Sequence, residues 1–190
     1  METNIIERLS LAKHITDDLN SILETWDKLE VKSKQGDKRD KRDLSEERLD
    51  FLINKFGNSG KEVRSSYKTA YYPSQEIVNL VRKIADITGW NVRERGIFLY
   101  PQGGHMSWHT NIDCTGPRIY LSYSKNGNSQ FLYRDPFTKK IIKDNDEPGW
   151  TARMFAVTAR YPLWHAVSAD EPRYSIGVGE LIYENNIHRQ

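Results

Sequence analysis

The sequence has little cysteine and no excess of charge of either sign. Its single cysteine, Cys114, excludes an internal disulfide, which is typical of a reducing compartment such as the cytoplasm. The 28 basic and 26 acidic residues leave a net charge of +2, too small to favour nucleic acid or an acidic membrane surface as partner. No stretch approaches the roughly 18 apolar residues of a membrane span, and the first residues lack the pattern of a signal peptide. We therefore expect a soluble cytoplasmic protein without a membrane partner.

The N-terminal quarter is polar and helical in pattern. Apolar residues at mostly three- and four-residue steps predict a helix over residues 1–29, and the alternating charges of residues 30–43 predict an exposed linker. We accordingly divide the chain into a helix with its linker, 1–45, and a domain over 46–190. The first helix has one apolar stripe, which must be buried on the domain, on a partner or on a second copy of the chain.

Two further helices have start and stop signals. Ser45 and Gly57 flank the run LSEERLDFLINKFG, and Pro73 and Gly89 flank SQEIVNLVRKIADITG. Residues 58–72, between these two helices, are predicted to be a loop. We expect both helices to cover the same face of a sheet.

From residue 90 the pattern changes to short extended runs. GIFLY, RIYLSY, SQFLYR, ARMFAVTA and YSIGVGELIY are rich in Ile, Tyr, Phe and Val and are separated by turn residues. Several short strands without helices between them indicate a β-sandwich or a barrel. The predicted class is α+β, with helices that support a β core.

Two histidines in this β region are candidate metal ligands. His109 lies in GGHMSWHTNID, His165 follows 56 residues later, and Arg173 comes eight residues after His165. Non-haem Fe(II) oxygenases bind iron through two imidazoles and, usually, one carboxylate on one face of the metal. Strands that are distant in sequence can bring such ligands together at one end of a barrel.

Four motifs in this region resemble a known family. YPQGGHMSWHTN is similar to the stretch Y-x-x-G-x-x-x-x-x-H-x-D, and RIYLSYSKNGNSQFLYR to a strand, glycine-bearing turn and strand. EPGWTARMFAVTARYPLWHAV is similar to a Pro-Gly turn followed by a strand and a distal histidine, and RYSIGV to an R-x-S strand. Residues 100–177 thus resemble the double-stranded β-helix, or jelly-roll, core of the Fe(II)/2-oxoglutarate dioxygenases, particularly the prolyl-hydroxylase-like branch. They also faintly resemble oxygenase-like proteins of tailed phages, which would place the chain in a host cytoplasm.

The resemblance assigns roles by matching position. It implies that His109 and His165 bind Fe(II) and that Arg173 pairs with the distal carboxylate of 2-oxoglutarate, because a planar guanidinium can hold both carboxylate oxygens. Ser175 shares a strand face with Arg173 and would add a hydroxyl. For a further donor to the same carboxylate, the candidates are Tyr100 and Tyr123.

The third metal ligand departs from the family pattern. The family has an acid two residues after the first histidine, where this chain has Asn111. Asp113 offers the missing carboxylate, but it can reach the same ion only if the chain turns after Asn111, since four residues of strand span about 13 Å. Both alternatives stay open.

Neighbouring residues have simpler interpretations. His105, four residues before His109, is too far along a strand to share a metal, so we expect it at a pocket rim or exposed. Trp108 and Trp164 each precede a candidate ligand and should point away from the metal into packing.

Two functions are compatible with these patterns. The first is an Fe(II)- and 2-oxoglutarate-dependent dioxygenase that uses O2 to hydroxylate a peptide side chain, a nucleobase or a small metabolite. The second is a β-helix that has lost catalysis and serves as a binding or assembly module, for which Asn111 is the main support. A cupin-like metal protein would leave Arg173 and Ser175 without a role.

Overall fold

The computed structural model describes residues 5–36, 41–57, 66–112 and 114–180. These residues contain three α-helices, which are α1 (Lys13–Glu24), α2 (Glu46–Phe56) and α3 (Gln75–Thr88). They also contain eleven strands, which in chain order are β1 (Glu7–Leu9), β2 (Val31–Gln35), β3 (Ser66–Tyr71), β4 (Val92–Tyr100), β5 (Gly104–His109), β6 (Gly116–Ser124), β7 (Ser129–Arg134), β8 (Ile141–Asn145), β9 (Gly149–Val157), β10 (His165–Ala169) and β11 (Arg173–Glu180). The predicted α+β class is confirmed.

The strands form one curled antiparallel sheet that folds over on itself. Its order is β1-β9-β6-β11-β4-β3-β5-β10-β7-β8, with β2 paired to β3. Strand β3 links the two halves, because Thr69 and Ala70 pair with β4 while Ser66 and Tyr67 pair with β5. The major half runs from β1 to β3 and the minor half from β3 to β8, and their inner faces enclose the candidate site.

The helices begin and end where their flanking residues indicate. Ser45 and Ser74 are the N-caps of α2 and α3, and each side chain accepts a backbone N–H three residues on. Gly57 and Gly89 follow their last turns, and Gly89 adopts the left-handed conformation at φ 71°.

The helices cover different faces, which corrects the expectation that α2 and α3 share one. Helices α1 and α3 pack on the outer face of the major half, in an apolar cluster with Ile97, Leu121 and Ile176. Helix α2 packs on the minor half, against Trp108 and Trp164. Both sequences have an amphipathic stripe, and such a stripe does not indicate which face of the sheet it will cover.

Two segments that we predicted to be a linker and a loop are strands, so these predictions were wrong. Residues 31–35, within the predicted linker, pair with β3, and residues 66–71, within the predicted loop, pair with β4 and β5. The predicted helix over residues 1–29 is shorter, since β1 precedes α1 and a 3-10 turn, Trp26–Lys28, follows it. Residues 1–4, 37–40 and 58–65 of these predictions lie outside the described residues.

The apolar stripe of α1 is buried within the chain itself. Ile15, Leu19 and Ile22 are at most 5% exposed and contact α3 and the major half. This helix therefore offers no apolar stripe to a second copy, and the division of the chain at residue 45 stays a prediction. Among the described helices, none has the length and apolar character needed to cross a membrane.

Candidate metal and co-substrate site

His109 and His165 lie side by side on the inner face of the minor half. Residue 109 of β5 pairs directly with residue 165 of β10, so antiparallel pairing cancels their 56-residue separation in sequence. The two ring centroids are 4.1 Å apart, and the residues are 4% and 1% exposed. The structure therefore brings together the two histidines that the sequence singled out.

Both imidazoles have a defined tautomer. Nδ1 of His109 lies 2.9 Å from the carbonyl oxygen of Ser107, and Nδ1 of His165 lies 2.9 Å from that of Leu163. A carbonyl oxygen can only accept, so each Nδ1 carries the proton and each Nε2 keeps its lone pair. A hydrogen bond of this kind fixes a metal-binding imidazole in place.

Burial keeps both rings neutral. It lowers the pKa of His109 well below its usual value, and the neighbouring His165 lowers it further. Burial also lowers the pKa of His165 to about 4, with a smaller contribution from the positive charge of Arg118. A neutral imidazole is the form that binds a metal ion.

Asn111 completes a polar group at this end of the cavity. Its Nδ2 lies 3.2 Å from Nε2 of His165 and donates to the hydroxyl of Tyr120 at 2.9 Å. The backbone N–H of Cys114 donates to the carbonyl of Asn111 at 2.9 Å, so the chain turns directly after Asn111, as binding by Asp113 requires. Asp113 itself lies outside the described residues, and its role stays a prediction.

The described side chains do not form a metal site with a carboxylate. Within residues 5–36, 41–57, 66–112 and 114–180, no group of three His, Cys, Asp or Glu side chains could hold an ion. The third polar group beside the histidines is the neutral amide of Asn111. The described donor set is therefore two imidazole nitrogens and one amide.

The other end of the cavity holds a buried cation. Arg173, on β11, is 1% exposed, and its Nε donates to Oδ2 of Asp146 at 2.7 Å. Asp146 also accepts from Nη1 of Arg153 at 2.6 Å. Burial alone would raise the pKa of Asp146, but the two guanidinium groups outweigh it and hold this pKa at about 2.

Tyr100 and Ser175 accompany Arg173 on the cavity wall. Tyr100 pairs with Arg173 across β4 and β11, and Ser175 follows Arg173 on the same strand face. Burial raises the pKa of the Tyr100 hydroxyl, so this group stays protonated and can donate. The cavity has a volume of about 70 Å³, and Phe98, Val167, Arg95 and Gly177 also line it.

Tyr123 does not belong to this cavity, which corrects one candidate. It lies on the opposite face of β6, where its ring contacts those of Trp150 and Tyr174 at centroid distances of 5.4 and 6.2 Å. The sequence alternation puts Tyr120, three residues earlier, on the inner face instead.

His105 and the two tryptophans lie outside the site. His105 is 1% exposed rather than at a rim, and its Nε2 lies 3.3 Å from Oδ2 of Asp43. Trp108 and Trp164 pack against Leu49 and Leu52 of α2, so the prediction that they point away from the histidines is confirmed.

Sequence reasoning missed several residues in or beside the cavity. Met106 and Tyr120 line it, Lys68 contacts Met106, and Asp146 pairs with Arg173. Lys68 and Met106 were hidden because β3 looked like loop and because methionine is an unspecific core residue. Asp146 belongs to the turn Asp146–Gly149 and was interpreted as a turn former. The one available signal was SYKTAY, where a lysine alternates with apolar and aromatic residues at the spacing of a strand.

Comparisons with known proteins establish the fold. No protein-family model matches the chain, and neither does any curated protein. Its structure is similar to that of a Trichoplax adhaerens prolyl hydroxylase in complex with a hypoxia inducible factor oxygen degradation domain peptide fragment, with TM-score 0.56 and 17% identity over 94% of this chain and 84% of that one. A Pseudomonas putida prolyl-4-hydroxylase matches with TM-score 0.48 and 12% identity over 86% and 99% of the two chains, and OsALKBH1 with 0.42 and 14% over 74% and 95%. The chain has the double-stranded β-helix fold of the 2-oxoglutarate oxygenases.

Proposed function

We propose that the chain is an Fe(II)- and 2-oxoglutarate-dependent dioxygenase that hydroxylates its substrate. The observation that carries this proposal is the pair His109 and His165, whose Nε2 lone pairs border one cavity with Arg173. Neutral imidazoles suit iron, and a guanidinium suits a carboxylate. The residues present therefore fit both the metal and the co-substrate.

The protein's own side chains have separate tasks in this proposal. His109 and His165 hold the metal, and the carbonyls of Ser107 and Leu163 fix the two rings. Asp146 orients the guanidinium of Arg173 toward the carboxylate. Bound Fe(II) and 2-oxoglutarate would supply the activation of O2, which none of these side chains can perform.

The third metal ligand is Asn111 or Asp113. Asn111 is in place, but its Nδ2 faces His165, so the amide must turn to present Oδ1 to a metal. Because an amide oxygen brings no charge, we expect Asn111→Asp to tighten Fe(II) binding if residue 111 is a ligand. If Asp113 is the ligand instead, Asp113→Asn weakens binding.

The proposed substrate is a peptide side chain, a nucleobase or a small metabolite. The similar Trichoplax adhaerens hydroxylase is in complex with a peptide, which makes peptides the first substrates to screen. The proposed location is the cytoplasm, or a host cytoplasm for a phage-encoded chain, where the thiol of Cys114 stays reduced.

The test is an anaerobic titration with Fe(II) and then 2-oxoglutarate, followed by visible absorption. We expect a saturable charge-transfer band for the wild type and its loss in His165→Ala and Arg173→Ala. Tyr123→Phe is the matched control, because Tyr123 lies on the other face of β6, and this variant should keep the band.

A binding or assembly module is the second candidate. The neutral Asn111 beside two histidines favours it, because a site without a carboxylate holds iron weakly. Absence of the band in the wild type at high iron and co-substrate would reject the dioxygenase and leave this module as the function to test.

A further inference from the structure

Lys68 lies beside Tyr100 and Arg173 on the inner face of the sheet. Thr69 of β3 pairs with Leu99 of β4, which sets the preceding residue, Lys68, next to Tyr100. Tyr100 in turn pairs with Arg173 of β11. One row across three adjacent strands therefore carries an ammonium, a phenol and a guanidinium.

The ammonium and the phenol share one poor acceptor. Nζ of Lys68 lies 3.2 Å from the sulfur of Met106, and the hydroxyl of Tyr100 lies 3.6 Å from the same sulfur. Lys68 and Tyr100 are 5% and 2% exposed, so water does not replace that acceptor. A thioether accepts hydrogen bonds weakly, which leaves two strong donors in need of oxygen atoms.

Lys68 also brings a charge that no carboxylate among the described residues compensates. Arg173 is paired with Asp146, whereas in the described part of the chain Lys68 contacts the sulfur of Met106 and the ring face of Phe98 but no carboxylate. Burial lowers the pKa of Lys68 to about 8. A buried cation without an acid is costly, and it is common where a ligand supplies the negative charge.

We propose that Lys68 binds the distal carboxylate of 2-oxoglutarate together with Tyr100 and Arg173, in the place that the Met106 side chain occupies in the free protein. This inference rests on the proposed function and adds the residue that selects the co-substrate. The cavity of about 70 Å³ is small beside typical ligand sites of about 300 Å³ or more. Met106 must therefore move on binding, and its unbranched side chain can do so.

The proposal predicts selectivity among 2-oxo acids. 2-Oxopentanoate has the same carbon chain as 2-oxoglutarate and the same metal-binding end, but it lacks the distal carboxylate. Lys68 can discriminate between these two ligands only through that carboxylate. A purely structural lysine would affect their binding alike.

The experiment is calorimetric titration of the anaerobic Fe(II) protein with each of the two acids. We expect Lys68→Met to weaken 2-oxoglutarate binding about tenfold or more, a loss typical of one charge-assisted contact, and to leave 2-oxopentanoate binding within about twofold. Lys68→Arg should recover part of the affinity, and the exposed Lys143→Met is the control.

Met106→Leu provides a second variant of similar size. It removes the competing sulfur, so we expect 2-oxoglutarate to bind at least as tightly as to the wild type. A loss of about tenfold in this variant would overturn the placement of the carboxylate beside residue 106.

The outcomes separate this inference from the proposed function. If the wild type binds 2-oxoglutarate and Lys68→Met binds it equally well, the proposed role of Lys68 is rejected, whereas the proposed dioxygenase function is unaffected. Equal losses for both acids would also overturn the role of Lys68, since they indicate a structural effect. If the wild type binds neither acid, the proposed function fails and this inference fails with it.

Discussion

Lys68 should lower the stability of the free protein. A buried ammonium without a carboxylate costs free energy, so we expect Lys68→Met to raise the free energy of unfolding at pH 7 by roughly 1–3 kcal/mol. The folded-state pKa of Lys68 is about 8, below its usual value of about 10.4. The unfolded chain therefore binds more protons between these values, and wild-type stability should rise as pH increases through this window.

Urea unfolding at pH values of about 7 and 9 measures both effects. The variant should lack the part of the pH-dependent rise that comes from Lys68, and Lys143→Met should behave as the wild type does. A variant that is no more stable than the wild type at pH 7 would show that the Lys68 charge is already compensated.

Asp146 is expected to be the most sensitive single carboxylate in the described core. It is fully enclosed between Arg153 and Arg173, so Asp146→Asn leaves two buried guanidinium groups without their shared partner. We expect a loss of about 3–5 kcal/mol, measured by urea unfolding. Asp144→Asn is the matched control, because Asp144 is partly exposed and should cost much less; equal costs would contradict the prediction.

At the scale of elements, the pairing of β6 with β11 requires that residue 179 has no side chain. A methyl group at Gly179 would overlap with the guanidinium of Arg118 on the neighbouring strand. We expect Gly179→Ala to cost about 1–3 kcal/mol through overpacking. In an Arg118→Ser background the same change should cost clearly less, because the overlap is gone; equal costs in the two backgrounds would reject this steric account.

The elements differed in how far their sequences predicted them. The five predicted strand runs overlap β4, β6, β7, β9 and β11, and helices α2 and α3 have caps such as Ser74 and Gly89, because these features are local. Strands β5, β8 and β10 were not among the runs predicted as strands. Most side chains of strand β2 are exposed. Its formation depends on backbone pairing with β3, a tertiary effect that composition does not encode.

The same limit applied to the site. His109 and His165 could be predicted because motif and spacing mark them, and pairing of β5 with β10 brings them together. Lys68 and Asp146 could not be predicted, because their roles depend on contacts with residues distant in sequence. Lys68 contacts Met106, and Asp146 contacts Arg173. Side-chain identity alone does not reveal such partners.

At the scale of the whole molecule, the two buried histidines should make the protein sensitive to acid. Unfolded histidines bind a proton near pH 6.5, whereas burial lowers the pKa of His165 to about 4 and that of His109 well below its usual value. The unfolded state therefore binds more protons in this window. Stability should fall as pH decreases from about 6.5 toward 4.

Measurement of the free energy of unfolding at pH values of about 7, 5.5 and 4.5 tests this dependence. His165→Gln should flatten it, while His14→Gln, on the exposed side of α1, should leave it unchanged. A His165→Gln variant with the wild-type slope would mean that other groups cause the acid sensitivity.

Strand β11 is the last described strand in the chain, yet it lies between β4 and β6 in the middle of the major half. A ribosome releases this strand after both of its neighbours, so a nascent chain that ends before Arg173 presents two unsatisfied strand edges at once. Open edges of this kind invite pairing with other chains. The proposed co-substrate site can therefore form only after Arg173 and the rest of β11 have left the ribosome, and until then the growing polypeptide depends on a chaperone or on rapid synthesis to avoid aggregation.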